Sequence, residues 1–171
     1  MSDLTDFSLV DLVEGIKNKN FTSEEVTKSF IKNAESSDKL NTYITKYFDE
    51  ALMSAKNFDK KNKHKGLLAG IPIAVKDMFC TKDVKTTAGS KILNNFVPTY
   101  ESTVTNKLWL EGAFLLGKLN CDEFAMGSSN ETSFFGNVIN PFGDKIVPGG
   151  SSGGSASALA ANLTPATIGT D

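Results

Sequence analysis

Apolar residues recur at helical spacing through the first third of the chain and then gather into short continuous runs. Leu9, Leu12, Val13 and Ile16 make one apolar face behind Ser8 and Asp11, a pair placed like a capping box. A second start follows at Thr22, with Glu25 three residues on and Val26, Phe30, Ile31 and Ala34 at the same spacing. The pattern predicts two short helices. Tyr43-Ile44-Thr45 reads as a short strand, and Phe48 to Phe58 shows helical spacing again through Leu52 and Ala55. That helix runs into a lysine-rich stretch, Lys56, Lys60, Lys61, Lys63 and Lys65, broken by Asp59 and His64. A solvated helix end and loop accounts for it better than a docking patch for RNA or a partner.

At Gly70 the texture changes. Ile71-Pro72-Ile73-Ala74-Val75 is a short apolar run with proline at its start, where a lost N–H is tolerated, and it reads as a buried strand ending at Lys76 and Asp77. Ser102 to Glu111 reads as a helix burying Val104 and Leu108, with Trp109 at its margin; Ala113 to Gly117 reads as the next buried strand. A long loop, Asn120 to Gly150, leads to a small-residue helix from Ser155 to Asn162 and a last strand, Ala166 to Gly169. Strand, helix, strand, helix, strand predicts an α/β fold with helices on the faces of a sheet. The expected division is a helical region over residues 1–65 and an α/β core over 66–171. A loop that long is expected to have a task.

Composition narrows the function. The chain has 171 residues, 40% hydrophobic and 22% charged, which suits one soluble domain or a piece of a larger one. No stretch approaches the roughly 18 uninterrupted apolar residues of a membrane span, and the first residues are acidic where a secretory signal carries positive charge; a cytoplasmic protein is expected. The two cysteines, Cys80 and Cys121, have no paired spacing, and His64 is the single histidine, so neither a disulfide framework nor a zinc site organises the chain. A net charge of −2 gives no field to gather nucleic acid, and all 18 basic residues are lysine. Without arginine there is no bidentate fork to read guanine edges or phosphates.

Three segments could carry chemistry. Lys76 stands at the carboxyl end of a buried strand, where open α/β sheets place ligands; it is either a lysine reaching out to solvent or a desolvated amine drawn down from about 10.4 towards the range of a base. Gly149-Gly150-Ser151-Ser152-Gly153-Gly154-Ser155 could be a linker or a phosphate loop. It lacks the lysine of a Walker motif, which leaves a tight backbone that brings serine hydroxyls close to other groups. Serine with lysine can activate a hydroxyl without histidine. The third, Asp122 through Gly136, is a polar loop with three acids and no metal-ligand pattern.

Taken together these segments resemble the amidase signature family, and within it the glutamine-hydrolysing members that serve tRNA-dependent amidotransferases. The resemblance lies in Gly70-Ile71-Pro72-Ile73-Ala74-Val75-Lys76-Asp77, in Gly112 through Leu115-Leu116-Gly117-Lys118 to Asp122-Glu123-Phe124-Ala125-Met126-Gly127-Ser128-Ser129, and in Val147-Pro148-Gly149-Gly150-Ser151-Ser152-Gly153-Gly154-Ser155-Ala156. It implies an α/β/α sandwich around a mixed sheet and a Ser-cisSer-Lys triad. Lys76 matches the lysine base and Ser151 the bridging serine on a cis peptide, and Met126, Gly127 and Ser128 match substrate-binding positions. No cofactor is implied for this chain. ATP and magnesium belong to a partner subunit in a heterotrimer that uses the ammonia on a misacylated tRNA, and tRNA is met only through that complex.

The match has one departure. In the family the nucleophilic serine lies a few residues beyond a Gly-Thr-Asp, and Gly169-Thr170-Asp171 are the last residues of this sequence. The nucleophile, the oxyanion-hole amides before it and the later glutamine-binding residues are therefore not among the 171, and an inactive N-terminal fragment is expected. Ser152 and Ser155 are the candidate substitute nucleophiles, Ser152 standing next to Ser151, but no oxyanion donors are evident. The alternatives are another amidase-signature hydrolase and a non-catalytic module that binds the other subunits.

Overall fold

The computed structural model describes residues 3–61 and 65–171, so Lys63 and His64 of the lysine-rich run lie outside the described residues. Helices α1 (Leu9–Lys17), α2 (Ser23–Ser36) and α3 (Phe48–Lys61) occupy the first third, with strand β1 (Tyr43–Lys46) between α2 and α3. Then come β2 (Pro72–Lys76), α4 (Thr103–Leu110), β3 (Phe114–Leu119), α5 (Gly153–Ala160) and β4 (Thr167–Ile168).

The starts of the first helices follow from their caps. Ser8 Oγ accepts from the Asp11 amide, and at Thr22 a full capping box forms, Glu25 N–H to Thr22 Oγ1 at 3.1 Å and Thr22 N–H to Glu25 Oε2 at 2.7 Å. Asp59 adds to the second cap: its carboxylate accepts from the Ser23 and Glu24 amides at 3.0 and 2.9 Å, which ties the end of α3 to the start of α2. In the sequence Asp59 looks like a solvated break in a lysine run; in the fold it is a helix cap.

The sheet is mixed, in the order β1-β3-β2-β4, with β2 parallel to both neighbours and β1 antiparallel to β3. All five residues of β2 are buried, which explains a continuous apolar run instead of an alternating one. From β2 the chain crosses through α4 to β3 on one side and then through α5 to β4 on the other. The order reverses at β2, and such a reversal opens a crevice at the carboxyl ends of the strands. Lys76 is the last residue of β2.

Two of the expected helices are corrected. In α4 the buried residue is Thr105, with Leu108 and Trp109 packed against the core, while Val104 is 41% exposed. The inward face runs 105, 108, 109, and Thr105 is held there by its hydroxyl bonds to Glu101 and Ser102. Helix α5 begins at Gly153 and not Ser155, although glycine costs about 1 kcal/mol in a helix. The gain is proximity: Gly154 N–H donates to Asn120 O at 3.0 Å, and an added Cβ there would fall 2.4 Å from that oxygen.

Leu12, Ile16, Val26 and Phe30 join Ile73, Val75, Leu116, Leu119 and Leu163 in one hydrophobic core. The 120–150 loop is fixed to this body by side-chain amides and a hydroxyl. Asn120 Nδ2 donates to Asn41 O and Gly136 O, Asn41 Nδ2 donates to Phe135 O, and Ser157 Oγ donates to Ile139 O.

Candidate active site

Lys76 has no solvent exposure, and its side-chain nitrogen is enclosed by hydroxyls. Nζ lies 2.6 Å from Ser151 Oγ, 2.7 Å from Thr170 Oγ1 and 3.0 Å from Ser152 Oγ. The Gly150–Ser151 peptide is cis. Three elements build this cage: β2 delivers the lysine, the turn before α5 delivers both serines, and the residues after β4 deliver the threonine. The pairing of Lys76 with Ser151 is the one expected from the sequence. The direct reach of Thr170 is not legible there, because it depends on β4 pairing with β2, and Ser152 shows itself in the sequence only as the neighbour of Ser151.

The hydroxyls are not equivalent. Ser152 Oγ donates to Thr170 O at 2.9 Å and accepts from Thr170 N–H at 3.0 Å, so its single proton is committed and towards Lys76 it can only accept. Ser151 has no such commitment. As an ammonium, Lys76 can give one N–H to each hydroxyl; as a neutral amine it has a lone pair that a hydroxyl proton can reach, and Ser151 stands closest to it. Burial pushes the Lys76 pKa below that of a free lysine, against an opposing pull from the negative charge of Asp122. Cys121 adds nothing to that pull near neutral pH, since burial pushes its thiol up to about 12 and it stays protonated.

A second lysine, Lys118 of β3, is equally buried but differently served. Its Nζ lies 3.1 Å from Asp77 Oδ1 and donates to Thr86 Oγ1 at 2.7 Å and to Phe79 O at 3.0 Å. Asp77 in turn accepts from the Thr87 amide and hydroxyl. Burial pushes Asp77 up and Lys118 down, and each partner's charge holds the other back. Among the described residues no carboxylate lies within ion-pair distance of Lys76. The amine able to shed its charge is therefore that of Lys76.

Met126, Gly127 and Ser128 form an exposed stretch beside this cage. Ser128 and Ser129 pack against Gly150, where an added Cβ would meet Ser129 N at 2.7 Å and Ser128 C at 2.8 Å. Gly127 lies against the Asp122 carboxylate. The structure thus brings the 127–129 backbone to the turn that carries Ser151. Met126 is 74% exposed and turned outward. Among the described residues no group of three or more His, Cys, Asp or Glu side chains is placed to hold a metal ion.

A mixed α/β fold with a buried lysine at the carboxyl end of a central strand, caged by a Gly-Gly-Ser-Ser turn, defines a class, and comparison gives it a name: the Amidase family model matches residues 25–171, and the chain belongs to that family. It is 70% identical over its whole length to the glutamyl-tRNA(Gln) amidotransferase A-subunit of Pelagibacter ubique, of which it covers 35%. Among solved structures it is similar to the glutamyl-tRNA(Gln) amidotransferase A-subunit of Thermotoga maritima, 30% identical with a TM-score of 0.80, covering 99% of this chain and 35% of that one. It is also similar to fatty acid amide hydrolase, 27% identical with a TM-score of 0.93, covering all of this chain and 32% of that one. The chain spans about a third of the length of these relatives.

Proposed function

We propose that these residues supply the lysine and bridging serine of a glutaminase that feeds ammonia to a tRNA-dependent amidotransferase. One observation carries the reading: a buried amine, with no carboxylate in ion-pair distance among the described residues, bonded at 2.6 Å to the Ser151 hydroxyl. In this mechanism neutral Lys76 takes the Ser151 proton while Ser151 takes the proton of a nucleophilic serine, which the family resemblance places beyond Asp171. That serine's oxygen attacks the side-chain amide carbon of glutamine. The C–N bond breaks, the proton returns through Ser151 to the leaving nitrogen, and ammonia departs; water then cleaves the ester to glutamate. The 126–128 stretch holds the glutamine. Ammonia passes to a partner subunit of a cytoplasmic heterotrimer, where ATP and magnesium activate the carboxylate of Glu-tRNA(Gln), or of Asp-tRNA(Asn). The identity of 70% to an amidotransferase subunit favours this substrate over the amides of the more distant relatives.

The test uses a polypeptide that carries these residues at the full length of the relatives, assembled with its partners. Lys76→Ala is expected to lower glutamine-dependent ammonia release by about a thousandfold or more while leaving the circular dichroism unchanged. Undiminished turnover removes lysine from the chemistry. A preference for fatty amides over glutamine in the unaltered enzyme moves the assignment to another branch of the family.

A further inference from the structure

We infer that Asp122 is a positioning residue for this site, one carboxylate that fixes both the substrate-side loop and the turn bearing Ser151 to the end of β3. Its side chain has no solvent exposure. Oδ2 accepts from the Asn130 amide at 3.0 Å; Oδ1 accepts from the Thr132 hydroxyl at 2.8 Å and from the Thr132 amide at 3.3 Å. Its own backbone N–H donates to Ser151 O at 3.1 Å. Two glycines record how tightly this carboxylate is enclosed: an added Cβ would fall 2.3 Å from Asp122 Cγ at Gly127 and 2.2 Å from Oδ2 at Gly150. Gly127 belongs to the substrate-side stretch and Gly150 to the cis peptide, so the same carboxylate is the packing partner of both.

Asp122 also acts through its charge. The titratable groups that face Lys76 are Asp122 and Cys121, both just beyond β3, and Cys121 is a neutral thiol near pH 7. Asp77, the next residue after Lys76, is engaged by Lys118 and Thr87 instead. From the turn and from β4 only the hydroxyls of Ser151, Ser152 and Thr170 reach the amine. Asp122 is thus the carboxylate whose field opposes desolvation at Lys76. Removing that charge favours the neutral amine, so a base at this position becomes competent at lower pH.

The inference rests on the proposed glutaminase reading and adds to it a role for a residue that touches neither nucleophile nor amine. Asp122→Asn keeps the shape, removes the charge and turns an NH2 towards donors that one of the carboxylate oxygens now accepts. In the full-length assembled enzyme it is expected to raise KM for glutamine about tenfold and to move the acid limb of kcat/KM down by about one pH unit. Thr132→Val, which removes the hydroxyl bond to the carboxylate and the acceptor of the Glu123 amide but no charge, is expected to raise KM and leave that limb in place. An Asp122→Asn enzyme with both KM and acid limb unchanged overturns the inference; if that variant does not fold, an unchanged KM in Thr132→Val overturns it equally. Activity that survives Lys76→Ala is a different failure, that of the glutaminase reading itself.

Discussion

Lys76 and Lys118 stand on neighbouring strands, both without solvent exposure, and differ in what meets the amine. Hydroxyls meet Lys76; a carboxylate meets Lys118. Taking one member away from a buried ion pair strands the other, at a cost of about 3–5 kcal/mol. Lys118→Met is expected to destabilise the protein by that amount at neutral pH, measured by urea denaturation. The sign of its pH dependence follows from Asp77, whose folded pKa is already raised by burial and rises further without Lys118. A raised carboxylate binds more protons folded than unfolded, so its contribution is favourable at low pH and is lost as pH climbs through the folded pKa. The Lys118→Met deficit should therefore shrink on acidification towards the ordinary carboxylate range, and a deficit that grows there would contradict the pairing. Asp77→Asn combined with Lys118→Met should recover part of the loss at pH 7.

The helices show what a sequence can and cannot disclose at the level of an element. Thr22 and Glu25 advertise the start of α2 because both halves of the box lie within four residues. Asp59 completes the same cap from 36 positions away, and no local pattern shows that. The same holds at the site: the motif around Lys76 and Ser151 is legible, but Thr170 reaches Lys76 only once β4 has paired with β2 at Ala74↔Thr167 and Val75↔Ile168. For α5 local propensity points the wrong way, since glycine resists helix and Gly153–Gly154 begins one. Gly154→Ala puts this to the test. Alanine should strengthen an isolated helix by about 1 kcal/mol, yet its Cβ would lie 2.4 and 2.7 Å from Asn120 O and N and 2.9 Å from Thr42 O. All three are backbone atoms and cannot rotate away. A net destabilisation of about 1–3 kcal/mol is expected by thermal unfolding, against no more than about 0.5 for Gly143→Ala, whose nearest neighbours lie at 3.6 Å or beyond. A stabilised Gly154→Ala protein would mean that α5 does not press on Asn120.

At the scale of the whole molecule the issue is whether residues 1–65 and 66–171 fold as separate bodies. The pattern of apolar residues changes at Gly70, and on that ground the sequence suggests a boundary near there. The contacts across it were not legible, because they join positions far apart: Asn33 Nδ2 donates to Ala161 O and Asn162 O, and Tyr43 Oη donates to Leu163 O. Strand β1 pairs with β3, and Phe30 shares a core with Leu116. Phe30 is 1% exposed, and its truncation to alanine should cost about 3–5 kcal/mol. The single tryptophan, Trp109, lies on α4 across the boundary and packs against the same core. If the core is continuous, Phe30→Ala must shift the urea midpoint reported by Trp109 fluorescence as far as the midpoint reported by far-ultraviolet circular dichroism. A fluorescence midpoint that stays in place while the dichroism midpoint falls would show that the first helices melt away from a sheet that stands without them. Then the side of the cage built by β2, α5 and β4 would owe nothing to α2.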